Sequence, residues 1–333
     1  MKSSFLIFAV LVLTGLAWAQ NVDYAGTSAA NFLKIGINAR TMAMGEAGIT
    51  MSEDASAMFW NPGAISRISR NSINLSTINW LVDTRVTYAA ATLHAGALGT
   101  FGLDFDYFSS GDIEETTLTE QDGTGRFFNA SDYQIGLGFA RNMTDRFSFG
   151  IKAKYIHERL SNVDASSFAF DLGAVFITSF LNDLRIAATL TNFGTKMKFS
   201  GRDLAVIYSV PGSPTGKEIP ANLETLEWEI PLLFRFGLSD YLLKNDDFTL
   251  LGAFDILDSR DHETRFNAGA ELGIYQTLYV RGGYKFNYDE TSFSLGAGFN
   301  LQRVLKWNAQ LDYSYLDFGR FDPVNQFTLA LAF

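Results

Sequence analysis

The sequence predicts an all-β protein: a transmembrane antiparallel β-barrel of about fourteen strands with a small N-terminal hatch. Three observations point there. Segment after segment alternates apolar and polar residues with a period of two. The chain opens on a short export segment. It closes on an alternating stretch that ends in an aromatic residue.

The export segment comes first. Lys2 supplies the positive start, Phe5 to Leu16 the apolar run, and Ala17-Trp18-Ala19 the small-x-small cleavage pattern. The run is too short to span a bilayer as a helix, which needs about 20 residues. Residues 1–19 are therefore read as a signal peptide, 20–70 as a plug and 71–333 as the barrel. Residues 21–70 lack alternation and are rich in Ala, Gly, Met and Ser, which suits close backbone packing in a confined space.

Strands follow, near 72–82, 86–95, 99–108, 131–141, 146–157, 166–178, 184–194, 229–241, 247–257, 264–275, 278–288, 291–301, 305–316 and 325–333. In Gly99–Tyr107, Phe101, Leu103, Phe105 and Tyr107 share one face, and Thr100, Gly102, Asp104 and Asp106 the other. Asp132–Ala140 and Ser292–Leu301 repeat the pattern. Only 247–257 alternates poorly, with Leu250, Leu251, Ala253 and Phe254 on both faces. Most segments match the length of about 9–11 residues that a tilted membrane strand needs.

Alternation leaves open which face is inside. A soluble sandwich buries the apolar face. Here the pattern recurs in nearly every strand, and the second face is built from Gly, Ser, Asn and charges of both signs, as in a wet or plugged lumen. That places Asp104, Asp106, Lys152, Lys154, Asp171, Arg235, Glu271, Arg281, Lys285 and Asp312 inside, where buried charges should pair. On this reading Arg in place of lipid-facing Leu103 is costly, whereas Arg in place of Gly102 enters the lumen. Loop parity agrees: the longest connections, about 109–130 and 195–228, follow the third and seventh strands and so share one side. The terminal Phe327, Leu329, Leu331 and Phe333 resemble the C-terminal signal of barrels inserted by the outer-membrane assembly machinery.

The stretch from Phe32 to Ile65 carries Gly36, Ala39, Arg40, Ala43, Met44, Gly45, Asp54, Ala55, Trp60, Asn61 and Pro62. It resembles the N-terminal signature of the PorV/PorQ family of outer-membrane proteins and, more distantly, the hatch of FadL-type transporters. Ile230–Gly237 and Leu278–Lys285 are similar to that family's strands. The Gly63-Ala64 order departs from the family's usual Ala before Gly. The resemblance implies a fourteen-stranded barrel with an N-terminal hatch. It also implies one of two roles. One is a type IX secretion component that holds secreted proteins at the cell surface and presents them to other secretion partners. The other is a transporter of small hydrophobic molecules through a hatch-gated lumen. A purely structural barrel is the third reading.

Other chemistry finds little support. The chain has no cysteine, which removes disulfides and thiolate metal sites. Its net charge of −10, or −11 once Lys2 is cleaved off, lacks a nucleic-acid footprint. A mean hydropathy of +0.05 fits two-faced strands as well as a soluble domain. His94, His157 and His262 show no ligand spacing. Gly212–Glu218 is one residue short of a phosphate loop and ends in Glu where Ser or Thr is needed. No G-x-S-x-G elbow occurs. The reading is a non-enzymatic protein of the outer membrane with no catalytic residues, metal or cofactor. Its expected partners are lipid, the barrel-assembly machinery and secreted or type IX secretion proteins. The 109–122 loop, with Asp112, Glu114, Glu115, Glu120 and Asp122, reads as solvated. The 195–228 loop, with Leu204, Val206, Ile207, Tyr208, Val210, Leu223, Leu226 and Trp228, is too apolar for that.

Deleting Phe333 should sharply reduce outer-membrane insertion while export to the periplasm continues. Heat-modifiable migration and membrane yield check this, and unchanged values would count against the barrel.

Overall fold

The computed structural model describes residues 26–51, 53–209, 218–302, 306 and 308–333. The export segment, Val210 and the Gly212–Gly216 stretch lie outside them.

Fourteen long strands form one closed antiparallel barrel. They are β1 (Ser72–Asn79), β2 (Arg85–His94), β3 (Thr100–Ser109), β4 (Ala130–Asn142), β5 (Phe147–Leu160), β6 (Val163–Ile177) and β7 (Arg185–Gly194). After the longest connection come β8 (Leu233–Lys244), β9 (Phe248–Ser259), β10 (His262–Ile274), β11 (Leu278–Phe286), β12 (Phe293–Asn300), β13 (Ala309–Leu316) and β14 (Val324–Ala332). Each pairs with the next, and β1 pairs with β14 from Ser72↔Ala332 to Asn79↔Asn325. The described residues hold no helix long and apolar enough to cross a membrane.

The alternation resolves as an inverted core. Leu103 is 51% exposed on the outside, while its neighbour Asp104 is 1% exposed within. Phe101, Phe105, Leu137 and Phe139 share the outer face with Leu103 and pair across the strands at Leu103↔Leu137 and Phe101↔Phe139.

Several strand ends differ from the sequence pattern, for local reasons. β1 stops at Asn79 because Val82 and Asp83 turn the chain with positive φ. β11 stops at Phe286, just before Asn287 does the same. β8 starts at Leu233 rather than near 229, past Pro231, which has no N–H for the ladder. β13 runs from Ala309, and position 305, where the sequence pattern starts it, lies outside the described residues.

The two longest connections, 110–129 and 195–232, leave the barrel at the same end, which also carries the two-residue turns 161–162 and 260–261. The end carrying 110–129 and 195–232 is the outer one, by the rule that periplasmic turns are short.

Most of the described residues between 29 and 68 are buried in the lumen. They form a 3-10 turn (Asn31–Lys34), helix α1 (Ala39–Ala43), helix α2 (Ala57–Trp60) and a second 3-10 turn (Pro62–Arg67). The apolar core lies here, between Ile37, Met42, Met58, Trp60 and Ile65 of the hatch and wall residues such as Ile156, Val175 and Ala187. One expectation fails as a result. Gly102 faces the lumen, but a Cβ there would lie 2.2 Å from Met58 Sδ, so an Arg has no room.

Leu103→Arg should destabilise the barrel by about 2–4 kcal/mol, as for a charge near the midplane of a lipid-facing strand. Leu118→Arg, in the solvated loop, is the matched control and should cost almost nothing. Folding titrations into lipid measure both, and equal costs would overturn the facing assignment.

Candidate functional site

The hatch threads the barrel from the outer end to the periplasmic end. At the outer end Ala29 N–H donates to Glu229 O at 3.0 Å, and Ala30 N–H to Glu158 Oε1 at 2.7 Å. Lys34 pairs with Asp261 in the β9–β10 turn. Burial would raise the Asp261 carboxyl, but hydrogen bonds from Lys34 and Ser259, and the Lys34 charge, outweigh it and hold it at about 2. The Asp261 carboxyl is therefore ionised at neutral pH. At the other end Ser66 Oγ donates to Asn142 Oδ1 at 2.9 Å, and Arg67 reaches the Asp145 carbonyl beyond β4.

Between these anchors the hatch meets the wall at glycine. Gly45 has φ +67°, and its N–H donates to Ser294 Oγ at 3.0 Å. A Cβ on the facing Gly283 would lie 2.0 Å from the Gly45 nitrogen, so only glycine permits this backbone contact. Gly63 does the same against Gly173, whose carbonyl oxygen would be 2.4 Å from an added Cβ. Its place directly after Pro62 is thus a packing requirement. Ala43 lies against Gly296, and Gly36 beneath Met42.

The plug residues hold one another through polar atoms. The Asn38 side chain caps α1 by accepting the Arg40 N–H at 2.8 Å. Asp54 Oδ1 accepts from Ser56 N–H at 2.7 Å and from Asn74 at 3.1 Å. Trp60 Nε1 donates to Ile37 O at 2.9 Å. Asn61 Nδ2 donates to Ile49 O at 3.0 Å and Ala174 O at 3.2 Å, and its Oδ1 accepts Gly63 N–H at 2.9 Å. Pro62 opens the 3-10 turn that follows.

Lumenal charges gather into networks. Lys152 donates to Asp104 Oδ2 at 2.5 Å and lies 3.9 Å from Asp171, which also pairs with Lys154 at 2.9 Å. Asp171 sits where the β6–β7 register shifts, and its freed carboxylate accepts the Asn192 N–H at 2.7 Å. Across the lumen Arg40 grips Glu271 with Nε and Nη2, both at 2.7 Å. Arg281 Nε donates to the same carboxylate at 2.6 Å, and its Nη1 to Asp312 at 2.6 Å. Arg40 also reaches Glu53. Lys285 pairs with Glu46. Two predicted lumenal residues stay outside these networks: Asp106 has neither carboxylate oxygen hydrogen-bonded among the described residues, and Arg235 stacks 5.1 Å over Trp60.

Sequence reasoning missed several partners. Glu46, Glu53 and Asp261 lie in turns, where parity says nothing. Asp255, which accepts Gly48 N–H at 2.7 Å and Ile49 N–H at 3.1 Å, sits on the weakly alternating β9. Its parity with Leu251 and Ala253 was the available signal. The three histidines lie apart, and the described residues contain no group of side chains suited to a metal.

At the outer mouth Phe32, Trp80, Phe108, Phe199 and Trp228 line a cup of about 650 Å³. Above it, Ala205–Ser209 pairs with Glu218–Asn222 as a hairpin. Ile207 is 72% exposed there, and Tyr208, Leu223 and Leu226 are exposed beside it. The terminal Phe327, Leu329 and Leu331 pair with Thr77, Leu75 and Ile73 of β1, and Phe333 N–H donates to Asn71 O at 3.0 Å.

The family model for the type IX secretion system protein PorV matches residues 18–205, more than half of the chain. The chain belongs to the PorV family. No curated protein matches it. Among solved structures, this PorV-family barrel is similar to the CymD monoaromatic hydrocarbon channel, with TM-score 0.58 and 12% identity over 92% of this chain and 99% of that one. It is also similar to the Pseudomonas putida toluene transporter TodX, with TM-score 0.54 and 11% identity over 87% and 98%. A Pseudomonas aeruginosa FadL homologue gives 0.51 and 13% over 89% and 98%. At such identities these likenesses establish the fold alone: a closed antiparallel β-barrel like those of the three solved proteins.

Arg40→Ala should loosen the hatch, at a cost of about 3 kcal/mol, the lower end for a broken buried pair because Arg281 still holds Glu271. Arg40→Lys keeps the charge, loses the two-point grip and should fall between. The midpoint of heat-modifiable migration and ion conductance in planar bilayers report this. Unchanged values in the Ala variant would rule out a latch at Arg40.

Proposed function

We propose that the protein is a non-enzymatic component of type IX secretion that binds secreted proteins at its outer mouth. One observation carries this reading: the apolar hairpin Ala205–Ser209/Glu218–Asn222 projects Ile207 and Tyr208 into solvent, above an aromatic cup. Exposed apolar side chains clustered on an outer loop favour a protein partner over water. The family supports the same role, because its name is that of a secretion component.

The alternative is passage of small hydrophobic molecules, supported by the fold shared with the CymD and TodX barrels. Against it, the described lumen is filled by the hatch and crossed by paired charges, where transport calls for a continuous apolar tunnel.

Ile207→Asp combined with Tyr208→Ser should lower co-purification of a secreted protein's C-terminal domain at least tenfold, with migration and conductance unchanged. Capture at the unaltered level would overturn the hairpin as the docking element. Selective uptake of a small hydrophobic solute into vesicles, lost when the hatch is deleted, would favour the transporter instead.

A further inference from the structure

One cavity in the lumen is lined by more cations than the carboxylates that pair with them. This cavity of about 170 Å³ lies between the hatch and the outer ends of the strands. Lys34, Arg235, Arg265 and Lys285 all reach it, as does His262. Lys34 is matched by Asp261 and Lys285 by Glu46. The two arginines have no ion-pair partner among the described residues. Arg235 is only 3% exposed, and its guanidinium sits over the Trp60 ring. Arg265 Nε is likewise buried without a hydrogen-bond partner. Asp255, the carboxylate facing Arg235, is turned to the Gly48 and Ile49 amides.

Burying an unpaired cation is costly, so something should complement these two. Both guanidiniums sit over aromatic rings, Arg235 over Trp60 at 5.1 Å and Arg265 over Tyr288 at 4.3 Å. A ring beneath the cation accepts no N–H hydrogen bond in the guanidinium plane, where the fork matches two oxygens. Thr291 Oγ1, also on the cavity wall, has no hydrogen-bond partner either. Two guanidinium forks and a hydroxyl around a cavity of about 170 Å³ suit a small oxyanion such as a carboxylate.

We propose that this cavity binds a single carboxylate, held by Arg235 and Arg265. Lys34 and Trp80 line both this cavity and the aromatic cup at the mouth, so a ligand entering the cup meets the arginines beneath it. The carboxylate belongs either to a free peptide C-terminus or to an acyl amphiphile. The site does not depend on the hairpin capturing proteins.

The test uses the full mature protein in neutral detergent, titrated calorimetrically with N-acetylglycinate, N-acetylglycinamide, octanoate and octanamide. Each carboxylate that binds should do so at least tenfold more tightly than its amide, and Arg235→Gln and Arg265→Gln should each reduce that binding at least tenfold. Heat-modifiable migration confirms that the variants are folded. If Arg235→Gln fails to fold, Arg265→Gln, which is only partly buried, carries the test. Preference for N-acetylglycinate supports the site with a chain end as its occupant, and preference for octanoate supports it with an amphiphile. Equal binding of carboxylate and amide, no binding of any probe, or a preference that survives loss of the arginines overturns the proposal. Partner capture in the Ile207 and Tyr208 variant is measured separately, so failure of one reading is distinguishable from failure of the other.

Discussion

Eight consecutive residue pairs join β1 to β14, and the molecule depends on them. In hydrocarbon no water satisfies an open strand edge, so the sheet must close on itself. Closure turns one face of every strand to lipid and the other inward. The inner face then holds Asp, Glu, Lys and Arg in a space that the hatch largely fills. Ion pairing follows from that enclosure: Glu271 needs Arg40 and Arg281, and Asp104 needs Lys152. The hatch supplies some of the missing partners, and so becomes part of the barrel's electrostatics as well as its filling.

Two kinds of contact hold the hatch, and they do different work. Backbone-to-backbone approach at Gly45/Gly283 and Gly63/Gly173 sets how close the segment lies to the wall. Such contacts are short-ranged and tolerate no added methyl. The Arg40–Glu271–Arg281–Asp312 chain sets its position along the wall, since a guanidinium fork accepts a carboxylate in few orientations. Together they define one seated position.

The fourteen strands were legible because each faces lipid on one side and the lumen on the other, so a period of two is not blurred by a second layer. Their ends were less legible. They depend on single turn residues, such as Val82, Asp83 and Asn287, that adopt positive φ without being glycine. The hatch residues stood out by type, but their partners lie some 230 positions away in sequence, as with Arg40 and Glu271. No local pattern encodes that meeting. Strand parity nominates Arg235 and Lys285 for the lumen. Which of them finds a carboxylate depends on how the hatch uses Glu46 and Asp255, and that is decided only in three dimensions.

The hatch is tied to the outer rim at Ala29, Ala30 and Lys34, yet it runs into β1 from the opposite end. The chain therefore crosses the full depth of the barrel before the first strand begins. A barrel that closed empty would have to be threaded afterwards through an opening already crowded by its own loops. The same geometry governs any later opening: the segment can shift or fold aside within the lumen, but it cannot leave as a detached stopper would.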